Sequence, residues 1–249
     1  MSGRSADRAA VAAYLGAQAQ EIAAQHAALL TGAESSVHDL RVAVRRFRST
    51  LRTFGAELPP ADELDARLRA WGAALGVVRD REVLLEVLAG APAGQVRDTL
   101  LEEVGGDLAV RRVLVQAGLR SPECIRLVSE AAAYAGGVPA DDRDVSRHVT
   151  KACKQARRRL RKAGTEVERL HRARKAAKRA RYAAEVVGWK KKRRRHQQVQ
   201  QLLGVHRDCL VALAHVDAAG GLADAGATAM VADLAGRAEA ARLSALEAS

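Results

Sequence analysis

Apolar residues recur at intervals of three and four positions along most of this 249-residue chain, which is the spacing of an amphipathic α-helix. Two segments show the pattern most clearly. Their apolar positions are Val37, Leu40, Val44, Phe47, Leu51 and Phe54 in the first and Leu170, Ala173, Ala177, Ala180, Ala184 and Val187 in the second. No segment has the alternation rich in Val, Ile, Thr and aromatic residues that indicates a strand. The chain is therefore predicted to be all-α, with helical bundles that pack through these apolar seams.

Glycine and proline divide the chain into helical stretches. The predicted breaks are Thr31–Gly32, Pro59–Pro60, Gly90 to Pro92, Gly105–Gly106, Ser121–Pro122, Gly136 to Pro139, Gly164–Thr165 and Gly220–Gly221. Helices are expected to open at the capping residues Ser35–Ser36, at Ser121 (followed by Pro122 and Glu123) and at Asp141–Asp142. All five prolines lie at or before position 139, which predicts a first helical bundle over 1–138 and a second over 139–249.

A row of basic residues follows each seam one position later. The first row is His38, Arg41, Arg45, Arg48 and Arg52, with Arg46 beside it; the second is His171, Arg174, Lys178 and Arg181, with Lys175 and Arg179 beside it. Because each residue turns a helix by 100°, such a row flanks the seam, and the first row is about 21 Å long. Its Arg and Lys suit the phosphates of a long polyanion, to which the His can donate hydrogen bonds. A solvated basic face is the alternative.

A second motif repeats in the same order as the two rows. LGVVRD at 75–80 matches LGVHRD at 203–208, and HDLRVAVRRFR at 38–48 matches HRARKAAKRAR at 171–181. The two matches predict an internal duplication with bundles related by a pseudo-twofold axis; chance similarity of two Arg-rich helices is the alternative. Arg79 and Arg207 are expected to face the anion while the adjacent aspartates orient neighbouring cations. An ion pair of each Arg with its adjacent Asp is the other interpretation.

Positive charge is concentrated in one part of the chain. The formal net charge is +12, but residues 147–195 alone carry 21 Lys or Arg and three acids, so the remainder is net negative. A local excess of this kind indicates a polyanionic partner. A weaker row in this segment lies either on the same surface as the two basic rows or away from it, and consists of His148, Lys151, Arg158 and Lys162. The six consecutive cations from Lys190 to Arg195 are a candidate electrostatic funnel for the anion.

The small number of aromatic residues bears on the choice of polyanion. Only seven residues are Phe, Trp or Tyr, whereas single-stranded nucleic acids are usually held by aromatic stacking. No helix-turn-helix, zinc-finger or RNA-recognition signature is present. A polyanion without bases is therefore favoured, and phosphate-only binding to duplex DNA is the alternative.

Little in the sequence indicates catalysis or a bound metal. A P-loop, a Gly-x-Ser-x-Gly motif, an acidic cluster for Mg²⁺ and a CxxC pair are all absent from the sequence. His38–Asp39 resembles the dipeptide of metal-dependent phosphohydrolases, but the neighbouring cations would oppose metal binding. No metal, cofactor or enzymatic activity is therefore predicted, with a phosphohydrolase as the less favoured alternative. His26, His196 and His215 are expected in ordinary surface or core positions.

The cysteines and the hydropathy pattern give an expected location. Cys124, Cys153 and Cys209 are isolated, and they are expected to be buried small residues in a reducing cytoplasm. No apolar run approaches the roughly 20 residues that cross a bilayer, and no signal-peptide core is visible. A cytoplasmic protein without a membrane partner is expected.

Four segments together resemble the CHAD domain, the conserved histidine α-helical domain. They are VHDLRVAVRRFRSTLRTF at 37–54, LGVVRDREVL at 75–84, LHRARKAAKRARYAAEVV at 170–187 and LGVHRDCLVAL at 203–213, and the resemblance covers nearly the whole chain. It implies two four-helix bundles with a basic central groove or pore, binding of inorganic polyphosphate and association with polyphosphate granules. By position, it implies a groove lined by His38, His171, Arg41, Arg45, Arg46, Arg48, Arg174, Lys178, Arg179, Arg181, Arg79 and Arg207.

This chain departs from the family pattern in two ways. Family members are often fused to a triphosphate tunnel domain, for which these 249 residues leave no room, so hydrolysis is not expected. The second His motif also has alanine at 173, 177 and 180 in place of large apolar residues, which predicts closer helix packing there.

Overall fold

The computed structural model describes residues 6–31, 37–220 and 225–248. Over these ranges the chain forms nine α-helices and no β-strand, which confirms the predicted all-α class. The helices are α1 Arg8–Thr31, α2 Val37–Phe54, α3 Asp62–Ala89, α4 Gln95–Leu119, α5 Pro122–Gly136, α6 Ser146–Arg161, α7 Val167–Val186, α8 Lys190–Ala218 and α9 Ala225–Glu247. The predicted cap at Ser35–Ser36 and the break residues Gly32 and Gly221 lie outside the described residues.

Most of the predicted breaks fall between helices, and two positions differ. The break at Gly105–Gly106 is wrong, because both glycines lie inside α4. A glycine in a helix interior costs only about 1 kcal/mol relative to alanine, and the buried Leu100, Val104 and Leu108 hold α4 in place. The sequence pattern also missed the turn between α7 and α8, where Gly188 adopts a left-handed φ of +71°.

One predicted helix start is confirmed and another is wrong. The Ser121 hydroxyl caps α5 by accepting a hydrogen bond from the backbone N–H of Cys124 at 3.2 Å. The start predicted at Asp141–Asp142 is wrong, because α6 begins at Ser146. The local reason is that an Asp144 carboxylate oxygen accepts the backbone N–H of Ser146 at 2.8 Å.

The apolar seams of α2 and α7 are part of the core. Every seam residue is buried except Val37, at the first position of α2. The largest core cluster joins α1, α2, α5, α6, α7 and the first half of α3, and a second joins the end of α3 with α4, α8 and α9. Both clusters combine helices from before and after residue 138. The core is therefore continuous across the predicted boundary, and the division into 1–138 and 139–249 stays a prediction.

The helices that carry the repeated motifs are neighbours in the fold. The two helices with basic rows, α2 and α7, pack against each other, and α3 packs against α8. In addition, α2 contacts α3, and α7 contacts α8. Segments that are more than 100 residues apart in the sequence are thus brought to one place, although the duplication itself stays a sequence-based prediction.

Candidate functional site

A cavity of about 720 Å³ lies where α2, α3, α7 and α8 meet, and we call it the central cavity. Eight cations line it: Arg41, Arg45, Arg79, Arg81, Arg174, Lys175, Lys178 and Arg207. The other polar residues of its wall are His38, His171, Asp80, Asp208, Gln200 and Gln201. With eight cations against two carboxylates, the electrostatics of this cavity favour an anion.

Two glycines of the repeated LGxxRD motif lie directly under arginines of the basic rows. A Cβ at Gly76 would be 3.0 Å from Nη2 of Arg41, and a Cβ at Gly204 would be 3.6 Å from Nε of Arg174. The missing side chains let the two guanidinium groups lie against α3 and α8. A side chain at Gly76 would crowd Arg41, whereas one at Gly204 would meet Arg174 at an ordinary contact distance.

Lys178 is the cation whose protonation the cavity perturbs most clearly. Burial, followed by the positive charges of Arg45 and Arg174, lowers the pKa of Lys178 to about 7. Burial, as the largest cause, and the positive charges of neighbouring arginines also lower the pKa values of Arg41 and Arg174. Without an anion, the cavity therefore holds positive charges that oppose one another, and a bound anion would relieve this repulsion.

Both histidines of the basic rows lie in the central cavity with lowered pKa values. Burial is the largest cause at His38 and at His171, and neighbouring cations add to it. Burial raises the pKa of Asp208, which opposes its role as a counterion for Arg174. A phosphate group would reverse the shift at the histidines, because a nearby negative charge favours imidazolium.

Several buried donors of the cavity wall lack an acceptor. The Nε atoms of Arg41, Arg45 and Arg174 have no hydrogen-bond partner among the described residues, and neither does Nδ1 of His38. Buried N–H groups without acceptors destabilise a protein, and native structures rarely leave them so. Unpartnered Nε atoms also occur outside the cavity, at Arg46 and Arg181, but three belong to arginines of the cavity wall.

The two arginines of the LGxxRD motifs differ in their partners. Arg79 contacts Glu86 at 2.8 Å and Glu82 at 3.4 Å, so the expectation that its charge is free for the anion is wrong. Asp80, beside it, lies 3.7 Å from Arg41. Arg207 is exposed and forms no ion pair with any described residue. The difference arises because α8 carries Leu and Ala where α3 carries the two glutamates.

Two arginines of the basic row on α2, and Arg46 beside it, do not line the central cavity. Arg46 pairs with Glu185 at 3.1 Å, and Arg48 pairs with Asp65 at 2.9 Å. Arg52, at the end of the row, has an exposed side chain. Because α2 contacts α1, α3 and α7, one basic row on it meets several neighbours, and only its first part faces the cavity.

On α7, two further predicted residues point away from the cavity interior. Arg179 donates hydrogen bonds to the Thr53 hydroxyl at 3.2 Å and to the backbone carbonyl of Arg52. Arg181 donates to the Gln200 side-chain oxygen at 3.3 Å and lies over the ring of Tyr182. Gln200 lines the cavity, so Arg181 meets the site indirectly.

The weaker row on α6 is also separate from the central cavity. His148 lies 3.0 Å from a carboxylate oxygen of the buried Glu57. Lys151 is exposed, and Arg158 lines a different hollow. The interpretation that places this row on the same surface as the other two is therefore wrong. The physical reason is that α6 packs on α7 and contributes no residue to the cavity wall.

Sequence reasoning missed part of the cavity wall. Arg81, Gln200 and Gln201 line it but were not among the candidates. The signal for Gln200 is present in the sequence, because Gln200, Gly204 and Arg207 have the spacing of one helix face. No such signal exists for Arg81, whose Nε donates to Asp107 of α4 at 2.5 Å.

The remaining histidines and cysteines are placed as expected where the structure describes them. His26 is buried, with Nε2 2.8 Å from the carbonyl oxygen of Leu119. His196 is buried, and Nδ1 of the half-buried His215 is 2.9 Å from the carbonyl oxygen of Val211. The buried, unbridged cysteines are Cys124, Cys153 and Cys209.

In the described ranges, no three His, Cys, Asp or Glu residues are grouped so that they could hold a metal ion. None of the helices in these ranges combines the length and apolar character needed to cross a membrane.

Comparisons with known proteins agree with the fold. A family model described as "CHAD domain" matches residues 13–217. Two uncharacterized proteins of Mycobacterium tuberculosis, from strains CDC 1551 / Oshkosh and ATCC 25618 / H37Rv, are each 33% identical over 225 residues. The match covers 80% of this chain but 43% of each of those proteins, so the chain spans less than half of their length.

Two solved structures share the fold. The CHAD domain of the plant Ricinus communis superposes with a TM-score of 0.76 at 24% identity, covering 100% of this chain and 94% of that one. PptA from Streptomyces chartreusis also gives a TM-score of 0.76, at 21% identity, with coverages of 98% and 99%. At these identities the likeness establishes the architecture alone.

Proposed function

The chain belongs to the CHAD domain family, and we propose that it binds inorganic polyphosphate in the central cavity. One observation carries the proposal: five of the eight cations of the cavity wall form no ion pair with a described residue, and these are Arg45, Arg174, Lys175, Lys178 and Arg207. A chain of phosphates supplies the missing negative charge along one ligand.

The wall of the cavity favours phosphate over bases. Its described lining consists of cations, amides, carboxylates, histidines and a few aliphatic residues, with no Phe, Tyr or Trp ring on which a base could stack. Arginine can hold two phosphate oxygens at once, and Lys178 adds a point charge between α2 and α7. Inorganic polyphosphate needs only positive charge and hydrogen-bond donors, and the wall of the cavity has both.

We propose binding without turnover as the role of the cavity. Its groups are arranged to neutralise and to hydrogen-bond phosphate, and no step of phosphate transfer is assigned to them. In the cell, such binding would place the protein at polyphosphate granules.

Calorimetric titration with polyphosphate of increasing chain length tests the proposal. Affinity is expected to rise with chain length and to fall steeply with salt, because phosphate contacts release counterions. Arg45→Glu combined with Lys178→Glu is expected to abolish binding of short chains such as tripolyphosphate while circular dichroism shows an intact helical fold. Arg45→Glu is also made alone. Its matched control is Arg69→Glu, which makes the same charge change at an exposed arginine of α3 outside the cavity.

Three results would contradict the proposal. Equal or tighter binding of duplex DNA would identify a nucleic-acid binder, and unchanged affinity in the double variant would show that the cavity is not the site. Release of orthophosphate from polyphosphate in the presence of Mg²⁺ or Mn²⁺ would contradict binding without turnover.

A further inference from the structure

A second basic surface lies between α6 and the first turns of α8. Two adjoining hollows of about 540 and 120 Å³ form it, and we call them together the α6–α8 groove. Its cations are Lys154, Arg157, Arg158 and Arg161 of α6 and Lys192 and Arg195 of α8. Lys154, Arg157 and Arg195 line both hollows, so the two form one continuous surface.

The positive charge of the α6–α8 groove is not balanced by the protein. In the described part of α6, ion pairs are confined to its first turn, where Arg147 and His148 meet Glu57. None of the six groove cations has a carboxylate partner among the described residues; Lys192 instead lies 3.7 Å from the ring centroid of Trp189. Repulsion among these unpaired cations is removed when an anion occupies the groove.

The positive charge of the groove also acts on a buried histidine, His196. His196 lines the smaller hollow, and its ring is almost inaccessible to solvent. Its pKa is lowered to about 4 by burial first, and then by the charges of Arg195, Arg157 and Lys192. The cations of both helices therefore act on one small volume.

The groove and the central cavity lie on different sides of α8. Arg195 lines the groove and Gly204 lines the cavity, and they are nine positions apart. At 100° per residue, nine positions bring a helix to the opposite face. A short anion bound in the cavity therefore does not touch the groove, whereas a long flexible chain can occupy both.

We propose that the α6–α8 groove is a second polyphosphate site, which holds a further segment of a chain whose other part occupies the central cavity. The choice of polyphosphate as the ligand rests on the proposed function of the cavity. The inference that the groove binds an anion rests on its six unpaired cations. Its lining has no Phe, Tyr or Trp, and the one ring in it, that of His196, is buried, so the groove offers mainly phosphate contacts. Two sites joined by one polymer raise the affinity for long chains well above that of either site.

A single charge reversal at the groove tests the inference. Arg157→Glu is expected to weaken binding of long-chain polyphosphate by about 10–100-fold through loss of the second site, while the affinity for tripolyphosphate, which fills the cavity alone, stays unchanged. The matched control is again Arg69→Glu, which makes the same charge change outside both sites. Equal long-chain affinity in the Arg157 and Arg69 variants would overturn the second site.

The cavity variant separates failure of the groove from failure of the proposed function. Arg45→Glu is expected to remove tripolyphosphate binding and to leave weak long-chain binding, which Arg157→Glu then eliminates. If Arg45→Glu alone abolishes all binding and Arg157→Glu changes nothing, the cavity function stands and the groove inference fails. If Arg45→Glu changes nothing while Arg157→Glu lowers the affinity, the proposed function of the cavity fails instead. A greater effect of Arg157→Glu on duplex DNA than on polyphosphate would overturn the choice of ligand.

Discussion

The guanidinium group of Arg41 lies against Gly76 of α3, so closely that a Cβ at position 76 would be 3.0 Å from Nη2 and 3.2 Å from Nε. Gly76→Ala is therefore expected to displace the Arg41 guanidinium by a few tenths of an ångström in the wall of the central cavity. Polyphosphate affinity should fall by up to about tenfold, as one charge-assisted hydrogen bond is weakened. Calorimetry measures the change.

Gly204→Ala is the matched control for Gly76→Ala. The corresponding distances to Arg174 are 3.6 and 3.7 Å, which is ordinary van der Waals contact, so affinity should be nearly unchanged. Alanine in a helix interior is also favoured over glycine by about 0.5–1 kcal/mol, so Gly204→Ala should raise the melting temperature. Equal losses of affinity in the two variants would show that crowding of Arg41 is not the cause of the loss in Gly76→Ala.

Lys178 makes both stability and binding depend on pH. Its folded pKa of about 7 lies below the ordinary lysine value of about 10.4, so between these pH values the unfolded state holds more protons. The contribution of Lys178 to stability should therefore increase as pH rises from 7 towards 10 and be lost below 7. Lys178→Met should remove this slope in urea denaturation and raise stability at neutral pH.

Polyphosphate binding should return a proton to Lys178. The anion favours the charged ammonium, so binding above pH 7 takes up a proton, and affinity should fall as pH rises. Calorimetry in buffers of different ionisation enthalpy measures this uptake. An equal uptake in wild type and in Lys178→Met would assign the proton to another group, of which His38 and His171 are the nearest candidates in the cavity.

Arg45 and Arg48 belong to the same basic row but should behave differently on substitution. Arg45 lines the central cavity with a buried, unpartnered Nε, whereas Arg48 pairs with Asp65. Arg45→Ala should lower polyphosphate affinity by about 10–100-fold, the effect of losing a charged hydrogen-bond donor. Arg48→Ala should leave affinity unchanged and reduce unfolding free energy by up to about 1 kcal/mol. Similar affinity losses in both would support the whole row as a binding surface.

The contrast between Arg45 and Arg48 also shows how far the sequence leads. Spacing alone identified the helices, the seams and the basic rows, because these depend on contacts within one helix. It did not show where each row ends as a binding surface, because that depends on which helix packs beside it. Asp65 of α3 removes Arg48 from the site, and Glu82 and Glu86 neutralise Arg79. Partners of this kind are visible only once the helices are assembled.

His148 is expected to stabilise the fold rather than to bind anions. It lies 3.0 Å from Glu57, and this hydrogen bond is the largest cause of the lowered pKa of the Glu57 carboxyl. A lowered carboxyl pKa means stability that is present above the ordinary glutamate pKa and lost as pH falls through the lowered value. His148→Ala should therefore reduce the free energy of unfolding at neutral pH, with a smaller effect in acid, and leave polyphosphate affinity intact. A loss of polyphosphate affinity without a loss of stability would instead identify His148 as a binding residue.

The unpaired cations of the α6–α8 groove should make the free protein more stable when one of them is reversed. Arg157 has Lys154 and Arg161 beside it on α6 and Arg195 of α8 across the groove, and a glutamate there would turn these repulsions into attractions. Arg157→Glu should raise the melting temperature at low salt by about 1–2 °C, and added salt should reduce the difference because screening weakens exposed charges. Polyphosphate should raise the melting temperature of wild type more than that of the variant, since a ligand stabilises the state that binds it. The Arg69→Glu control should show neither effect. A lower melting temperature in Arg157→Glu would mean that Arg157 makes a stabilising contact in the free protein and that the groove charges are not held for a ligand.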